Sequence, residues 1–330
     1  MRLSRLLAAV IVAVAAAGAL AWLVLTPTAT LRAGGIVVDV PAHEGVRGIA
    51  SRLAQLDVIR SESAFLALAV VRGSLRHLKA GEYEIPLDAS TVDVLALIES
   101  GRVRQHTVLH PEGATVAELA RVLETERLAP AADVIRVASD EKFLRSHGIE
   151  ALSVEGYLFP DTYQFVRGLT TEEMLGRMVQ RLRAKLTPEL LARAKTRGLR
   201  THELLTLASI IEREAVVKDE QRLISAVFWN RLHIDMPLQA DPTVQYAVGK
   251  QRGTLTRADL ATDHPFNTYR HTGLPPGPIA SSGLGAIEAA LEPAPVGYLY
   301  FVARDDRRHQ FSSTVDEHNA AVTRYRLSRK

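Results

Sequence analysis

The first pattern along the chain is an unbroken apolar run over residues 6–25 that holds no charged side chain. As a helix it spans roughly 30 Å, the thickness of a bilayer core, so a transmembrane helix is expected there. A strand signal follows at Ile36-Val37-Val38-Asp39-Val40. Apolar residues then recur at helical spacing from Gly48 to Leu56 and from Ser63 to Val71, the second with Ser61 as its cap. A strand over 81–86 and a helix from Thr91 to Ile98, stopped before Gly101, complete a small α+β module.

A second start is visible at Val108-Leu109-His110-Pro111-Glu112-Gly113, followed by the helical stripe Val116, Leu119, Ala120 and Leu123. It echoes Val40-Pro41-Ala42-His43-Glu44-Gly45 followed by Ile49, Ala50 and Leu53, with the two helices out of step by about two residues. Internal duplication and chance recurrence of a common motif both account for the echo. From Thr170 onward the pattern predicts helices over 171–185, 188–198, 202–216 and 219–233. The segment from Phe266 to Gly285, rich in glycine and proline, reads as a rigid irregular loop. A helix from Leu284 to Leu291 follows. Tyr298-Leu299-Tyr300-Phe301-Val302 and His309-Gln310-Phe311-Ser312 then predict a hairpin across 304–307, and a helix from Val315 to Tyr325 closes the chain. The expected fold class is α+β, with an N-terminal transmembrane helix, a small α+β subdomain over 36–104, and a larger, mostly helical domain over 105–330 bearing a C-terminal β-hairpin.

Charge refines this picture. The 330 residues include 40 basic and 37 acidic side chains, interspersed, for a formal net charge of +3. No long basic run appears, so nucleic acid is not an expected partner. Cysteine is absent, which removes disulfides, thiolate nucleophiles and cysteine-based metal sites, and leaves the redox compartment open. Arg2 and Arg5 precede the apolar run and the first acidic residue is Asp39. The positive-inside rule therefore makes 1–5 a cytoplasmic tail and 26–35 a linker to a domain outside the membrane. In a bacterial cell this is a single-pass inner-membrane protein with its bulk on the periplasmic side. Ala19-Leu20-Ala21 also resembles a cleavage site, so a cleaved signal peptide competes with the anchor. The length of the run, continuing through Trp22-Leu23-Val24-Leu25, favours the anchor.

The chemistry concentrates in Leu204-Leu205-Thr206-Leu207-Ala208-Ser209-Ile210-Ile211-Glu212-Arg213-Glu214-Ala215, a strongly apolar helical run that contains two carboxylates. Burying a carboxyl group is costly and raises its pKa, so such a group can stay protonated near neutrality and act as a general acid. On a helical wheel Glu212 and Glu214 lie about 200° apart and cannot serve one cleft. Glu214 falls on the flank of Leu207, Ile210 and Ile211, nearer the centre of the apolar arc, which makes it the better proton donor. An ordinary amphipathic helix edged by two glutamates is the competing reading. Other motifs fail: His202-Glu203-Leu204-Leu205-Thr206 has threonine where a zinc-protease helix needs its second histidine, and neither a phosphate loop nor a Gly-x-Ser-x-Gly elbow occurs. No metal and no cofactor are expected.

These residues fall into blocks that resemble a known family. Leu207 to Glu214, Phe228-Trp229-Asn230-Arg231-Leu232, Leu238-Gln239-Ala240-Asp241-Pro242-Thr243-Val244-Gln245-Tyr246, Phe266-Asn267-Thr268-Tyr269 and Gly273-Leu274-Pro275-Pro276-Gly277-Pro278-Ile279-Ala280 resemble the endolytic murein transglycosylases of the MltG (YceG-like) family. Glu155-Gly156-Tyr157-Leu158-Phe159-Pro160-Asp161-Thr162-Tyr163 is similar as well, and residues 36–104 resemble the LysM-like subdomain that precedes the family's catalytic region.

The resemblance implies cleavage of nascent peptidoglycan glycan strands between N-acetylmuramic acid and N-acetylglucosamine, leaving 1,6-anhydro ends, beside penicillin-binding synthases as partners. It implies Glu214 as the catalytic glutamate, which leaves Glu212 as a supporting residue or second choice. Ala215 departs from the hydroxyl residue common at that place in transglycosylases. Asp241 is the second carboxyl to consider, although Asp241-Pro242 also reads as a helix N-cap and first helical residue. Gln239, Asn230, Asn267, Tyr269 and Asp161 are the expected sugar contacts, with Tyr157 and Phe159 as stacking surfaces or core. A hydrolytic muramidase and a non-catalytic peptidoglycan-binding scaffold are the alternative functions.

Overall fold

The computed structural model describes residues 2–28, 35–250, 253–304 and 308–328. Most of the expected linker and the hairpin tip at Asp305, Asp306 and Arg307 lie outside the described residues. The chain forms two compact units, one of Met1–His106 with Gln164–Leu169, the other of Thr107–Tyr163 with Thr170–Lys330.

The first unit begins with α1 (Arg2–Leu25), whose stretch Leu7–Leu25 is long and apolar enough to cross a membrane. Its C-terminal end is tied down: the Leu23 carbonyl accepts from the Thr91 hydroxyl at 3.3 Å, and the Arg60 guanidinium lies 4.6 Å from the Trp22 ring. Then come β1 (Ile36–Val40), α2 (Val46–Gln55), α3 (Glu62–Val71), β2 (Gly81–Ile85) and α4 (Thr91–Ser100). β1 and β2 pair antiparallel with Val38 opposite Tyr83, and their inward residues close a core with Leu53, Phe65, Leu95 and Ile98. The buried Tyr83 ring keeps its hydroxyl satisfied by donating to the Lys79 carbonyl at 2.7 Å. Glu82, also buried, lies 2.6 Å from His106 and 2.9 Å from Arg167, which compensates a charge that burial would otherwise penalise.

The echo between Val40-Pro41 and His110-Pro111 is a structural repeat. After β3 (Gln105–His110) and α5 (Val116–Thr125), the second copy matches the first at a spacing of 70 residues, Pro41 on Pro111 and Val46 on Val116. His43 and Gly113 occupy the same left-handed turn position, at φ 68° and 75°. Asp57 and Arg127 repeat the left-handed exit from the helix, both at φ 54°. The hydrogen bond from Val58 N to the Leu53 carbonyl recurs from Leu128 N to the Leu123 carbonyl, each 2.9 Å. The buried stripe Ile49, Ala50, Leu53 becomes Leu119, Ala120, Leu123. The apparent slip of two residues vanishes once the prolines, rather than the Glu-Gly pairs, are superposed. The duplication extends to strand–helix–helix–strand, with α6 (Ala131–Ala138) matching α3; the second copy adds the short α7 (Glu141–Ser146) before β4 (Asp161–Val166), and the sheets pair β1 with β2 and β3 with β4.

The second unit continues with α8 (Thr171–Lys185), α9 (Pro188–Thr196), α10 (Thr201–Glu214), α11 (Gln221–His233), α12 (Asp241–Ala247), α13 (Arg257–Ala261) and α14 (Leu284–Leu291). α10 is its central helix, buried at every position from Leu204 to Ile211. It ends two residues earlier than the apolar pattern suggested, because Ala215 turns extended at ψ 106°, and α11 starts two residues later, after a 3-10 turn over Lys218–Glu220. The expected hairpin forms from β5 (Tyr300–Ala303) and β6 (His309–Ser312), with Phe301 opposite Phe311. Glu220 pins it by accepting from His309 N at 3.0 Å and lying 2.7 Å from His309 Nδ1. α15 (Val315–Ser328) runs three residues past the predicted end.

The repeated turn makes a paired prediction. Gly113→Ala is expected to lower stability by roughly 1–2 kcal/mol through its left-handed backbone, whereas His43→Gly relieves the same conformation and should change stability by less than about 1 kcal/mol. Urea denaturation of the two variants measures the difference.

Candidate active site

α10 places its polar side chains by depth. On one face it is stitched to the loop over 273–283: His202 Nε2 donates to the Pro276 carbonyl at 2.7 Å, the buried Ser209 hydroxyl accepts from Ile279 N at 3.0 Å, and Glu212 accepts from Gly283 N at 3.0 Å. Because Nε2 faces a carbonyl it bears the proton, so His202 Nδ1 accepts from the Tyr157 hydroxyl at 2.9 Å. Both ring nitrogens are thereby occupied by structure. The same loop bonds to the repeated turn, Gly113 N to the Ser281 carbonyl and Ser281 N to the Ala114 carbonyl, each 2.8 Å. His110, beneath it, is held neutral: burial pushes its pKa down to about 4.

Glu214 leaves α10 in a different direction, toward α12 and Arg231. Desolvation pushes its pKa up to about 8, the negative charge of Asp241 adds to the rise, and Arg231, the Asp241 backbone N–H and Arg213 oppose it. As the last helical residue, Glu214 also meets the negative end of the helix dipole, which disfavours its anion further. Glu212 is raised too, by burial first, with the Gly283 N–H opposing.

Arg231 lies on the buried stripe Ile224, Val227, Phe228 of α11 and is only 6% exposed. Its guanidinium donates to the Leu299 and Leu238 carbonyls, each at 2.7 Å, and packs 5.4 Å from the Tyr300 ring. Burial lowers its pKa, yet an arginine remains a cation. This fixed charge beside Glu214 was not singled out from the sequence. Its position at i+7 from Ile224 and i+3 from Phe228 was the available signal, since an arginine on an apolar stripe is buried for a reason.

Asp241 is the first residue of α12, and Ala240 is the N-cap, which corrects the sequence assignment by one residue. Its exposed carboxylate accepts from the Tyr269 hydroxyl at 2.6 Å; burial first, and this bond second, raise the tyrosine pKa. Gln239, just before, holds a left-handed backbone at φ 49° with an exposed side chain, and its N–H donates to the Thr268 carbonyl at 3.0 Å. A non-glycine residue in that region is strained and persists where its surroundings enforce it. Here Thr243 and Thr268, 2.8 Å apart at their hydroxyls, together with the bond from Ala240 N to Thr268 at 3.0 Å, do so.

The remaining expected sugar contacts are placed elsewhere. Asn267 is fully buried; its amide donates to the Leu260 and Thr262 carbonyls and its oxygen accepts from Tyr269 N at 3.0 Å. Asn230 donates to the Val296 and Tyr298 carbonyls at 2.9 and 2.8 Å, which fixes the approach to β5. Asp161 pairs with Arg181 of α8 at 2.7 Å and accepts from Thr162 N, and these bonds, the backbone one first, hold its carboxyl below the usual range. Glu214, Arg231, Asp241, Tyr269 and Gln239 are thus the group gathered at one corner. Among the described residues no cluster of three or more His, Asp or Glu is placed to hold a metal ion.

Glu155 is another buried acid that the sequence did not single out. Both of its carboxyl oxygens lie 3.2 Å from Val116 N at the start of α5, and burial pushes its pKa up to about 8.

A YceG-like family model matches residues 38–324. The chain is 36% identical over 307 residues to a protein of Bacillus subtilis (strain 168) named endolytic murein transglycosylase, covering 87% of this chain and 84% of that one. A Streptococcus pneumoniae (strain D39 / NCTC 7466) protein of the same name is 29% identical over 323 residues, 88% of this chain, which spans only 58% of that longer relative. A 2.6 Å crystal structure of a YceG-like protein from Listeria monocytogenes superposes with a TM-score of 0.61 at 33% identity, over 87% of this chain and 98% of that one.

The raised Glu155 carboxyl gives a pH prediction. The fold retains a proton that the unfolded chain releases near the ordinary value of 4.5, so this contribution to stability is complete below about 4.5 and is lost as pH rises toward about 8. Glu155→Gln should flatten that decline, read as the thermal midpoint across pH 5 to pH 8.

Proposed function

The chain belongs to the YceG-like family, and from that premise we propose that it is an endolytic lytic transglycosylase of murein in which Glu214 is the acid and base. The observation that supports this most directly is the Glu214 carboxyl on the last residue of a buried helix, its pKa pushed up to about 8 by burial, beside a cation and a strained polar corner.

Protonated Glu214 donates to the oxygen of the bond between N-acetylmuramic acid and N-acetylglucosamine as that bond breaks. Positive charge develops at the muramic acid C1. The newly formed carboxylate, stabilised by Arg231 and by the Asp241 N–H, removes the proton from the muramic acid 6-hydroxyl as its oxygen closes on C1. The result is a 1,6-anhydro end, and Glu214 is protonated again. No water enters. The exposed amide of Gln239 and the paired Asp241 and Tyr269 line the approach and bind sugar hydroxyl or acetamido groups. Glu212 holds the loop over 273–283 in place, while Asn230, Asn267 and Asp161 serve the surrounding framework. Residues 36–104 act as a LysM-like strand-holding module. α1 anchors the protein in the inner membrane with its bulk on the periplasmic side, within reach of nascent strands and of penicillin-binding synthases.

Asp241 favours one alternative, since a carboxylate that acts on Glu214 electrostatically is what a hydrolytic muramidase would use to activate water. Mass analysis of digested glycan strands separates the two: anhydro ends are lighter than reducing ends by one water. The expected outcome is anhydro ends, and reducing ends would replace this reading with the muramidase. Glu214→Gln should lower turnover at least about 100-fold. Glu212→Gln keeps an acceptor for Gly283 N and should stay within about tenfold of the parent. Turnover should fall as pH rises through about 8, where Glu214 loses its proton. An unimpaired Glu214→Gln protein would sink the assignment.

A further inference from the structure

A cavity of about 330 Å³ lies within the second unit, walled by the start of α5, by α6 and by α12. It adjoins the candidate active site through the backbone: Arg213, on its wall, precedes Glu214, and Pro242, also on its wall, follows Asp241. Glu155 reaches the cavity from a position 6% exposed, and Arg121, Arg213 and Lys250 line it as well. Arg213 is braced in place by donating to the Gly113 carbonyl at 3.1 Å, and Lys250 pairs with Asp259 at 2.5 Å. Ile135, Ala138 and Ile279 supply apolar wall.

The structural repeat separates what the fold requires from what this cavity adds. Positions that build the module are shared between copies, as Val46 and Val116 or Leu53 and Leu123 are. Arg121, by contrast, stands where the first copy has Ser51, and the exposed Ala117 where it has Arg47. Arg121 and the small Ala117 are therefore what the second copy carries at these points where the first has Ser51 and Arg47.

Cations beside a buried acid and small apolar surfaces suit a ligand with amide carbonyls, methyl groups and a carboxylate. Murein itself presents that chemistry next to the scissile bond, in the peptide stem on the lactyl group of each muramic acid. We propose that this cavity is a stem-peptide site, with the stem carboxylate toward Arg121 and Lys250 and a stem carbonyl toward Glu155. The proposal rests on the reading of Glu214 as the residue that cuts murein strands. It makes the enzyme a reader of stems as well as of sugars. Because burial favours the neutral Glu155 carboxyl, that group offers a proton to a carbonyl rather than repelling a carboxylate.

The test uses the detergent-solubilised full chain and two readouts. First, N-acetylmuramoyl-L-alanyl-D-isoglutamine and N-acetylmuramic acid are titrated by calorimetry into the parent, Glu214→Gln, Ala117→Trp and Arg121→Glu proteins. The peptide-bearing probe should bind the parent and Glu214→Gln, and should bind the other two at least about tenfold more weakly, as loss of a charged hydrogen bond implies. Second, intact glycan strands are compared with strands stripped of stems by an amidase. The parent should prefer intact strands by about tenfold, and the preference should collapse toward one in Ala117→Trp and Arg121→Glu. Circular dichroism identifies any variant that fails to fold, and the surface change Arg121→Glu then decides alone. Equal binding of both probes by the parent, no binding of the peptide probe, or an undiminished preference in the folded variants would overturn the stem site. Stem binding that is lost in the variants, with neither strand cut by the parent, would leave the stem site standing and sink the role of Glu214.

Discussion

The desolvation of one carboxyl group is the constraint around which the second unit is arranged. α10 is buried from Leu204 to Ile211 and only its two ends are partly exposed, so a charged side chain on its last turn must be neutralised, paired or protonated. Glu212 accepts a backbone N–H from the loop over 273–283. Glu214 makes no ion pair among the described residues and lies where burial, the Asp241 carboxylate and the helix dipole disfavour its anion while Arg231 and the Asp241 N–H favour it. The balance leaves the group protonated near neutrality while keeping its anion within reach. A direct ion pair with Arg231 would have lowered the pKa, and full isolation would have raised it further.

Most of the fold was legible because its periodicities are strong. The predicted helices, the closing hairpin and the apolar N-terminal run lie where the pattern puts them, to within a few residues, whereas the pattern predicts none of the short elements α6, α7, α13 and β4. Helix ends were less so. α10 stops at Glu214 because Ala215 adopts an extended backbone, a choice made by tertiary packing that no propensity at 215 and 216 announces. The repeat was visible but misaligned, since Glu44-Gly45 and Glu112-Gly113 look alike while doing different things. The left-handed position falls on His43 in one copy and on Gly113 in the other, so glycine is the wrong marker. Proline and the helical stripe are the right ones.

The site was less legible than the fold. The two glutamates stood out because a carboxyl in an apolar run is anomalous. Amides do not stand out in that way: Asn230 and Asn267 look like sugar ligands in sequence, yet each is engaged by backbone carbonyls that come from distant segments. Arg231 and Glu155 illustrate the opposite failure. Their importance lies in burial against residues far along the chain, Leu299 for one and Val116 for the other, and no local window contains both partners.

The three-point attachment of α10 to the loop over 273–283, through His202, Ser209 and Glu212, bears on how protons circulate. In the proposed reaction the proton lost to the leaving sugar is replaced by one from the substrate's own hydroxyl, so the helix tip ends each turnover as it began. A rigid, poorly hydrated mount is then no handicap, because nothing has to be fetched from bulk water between one cut and the next. The same closure suits a strand cutter that works inside a crowded polymer, where buffer is scarce and the next bond is always near.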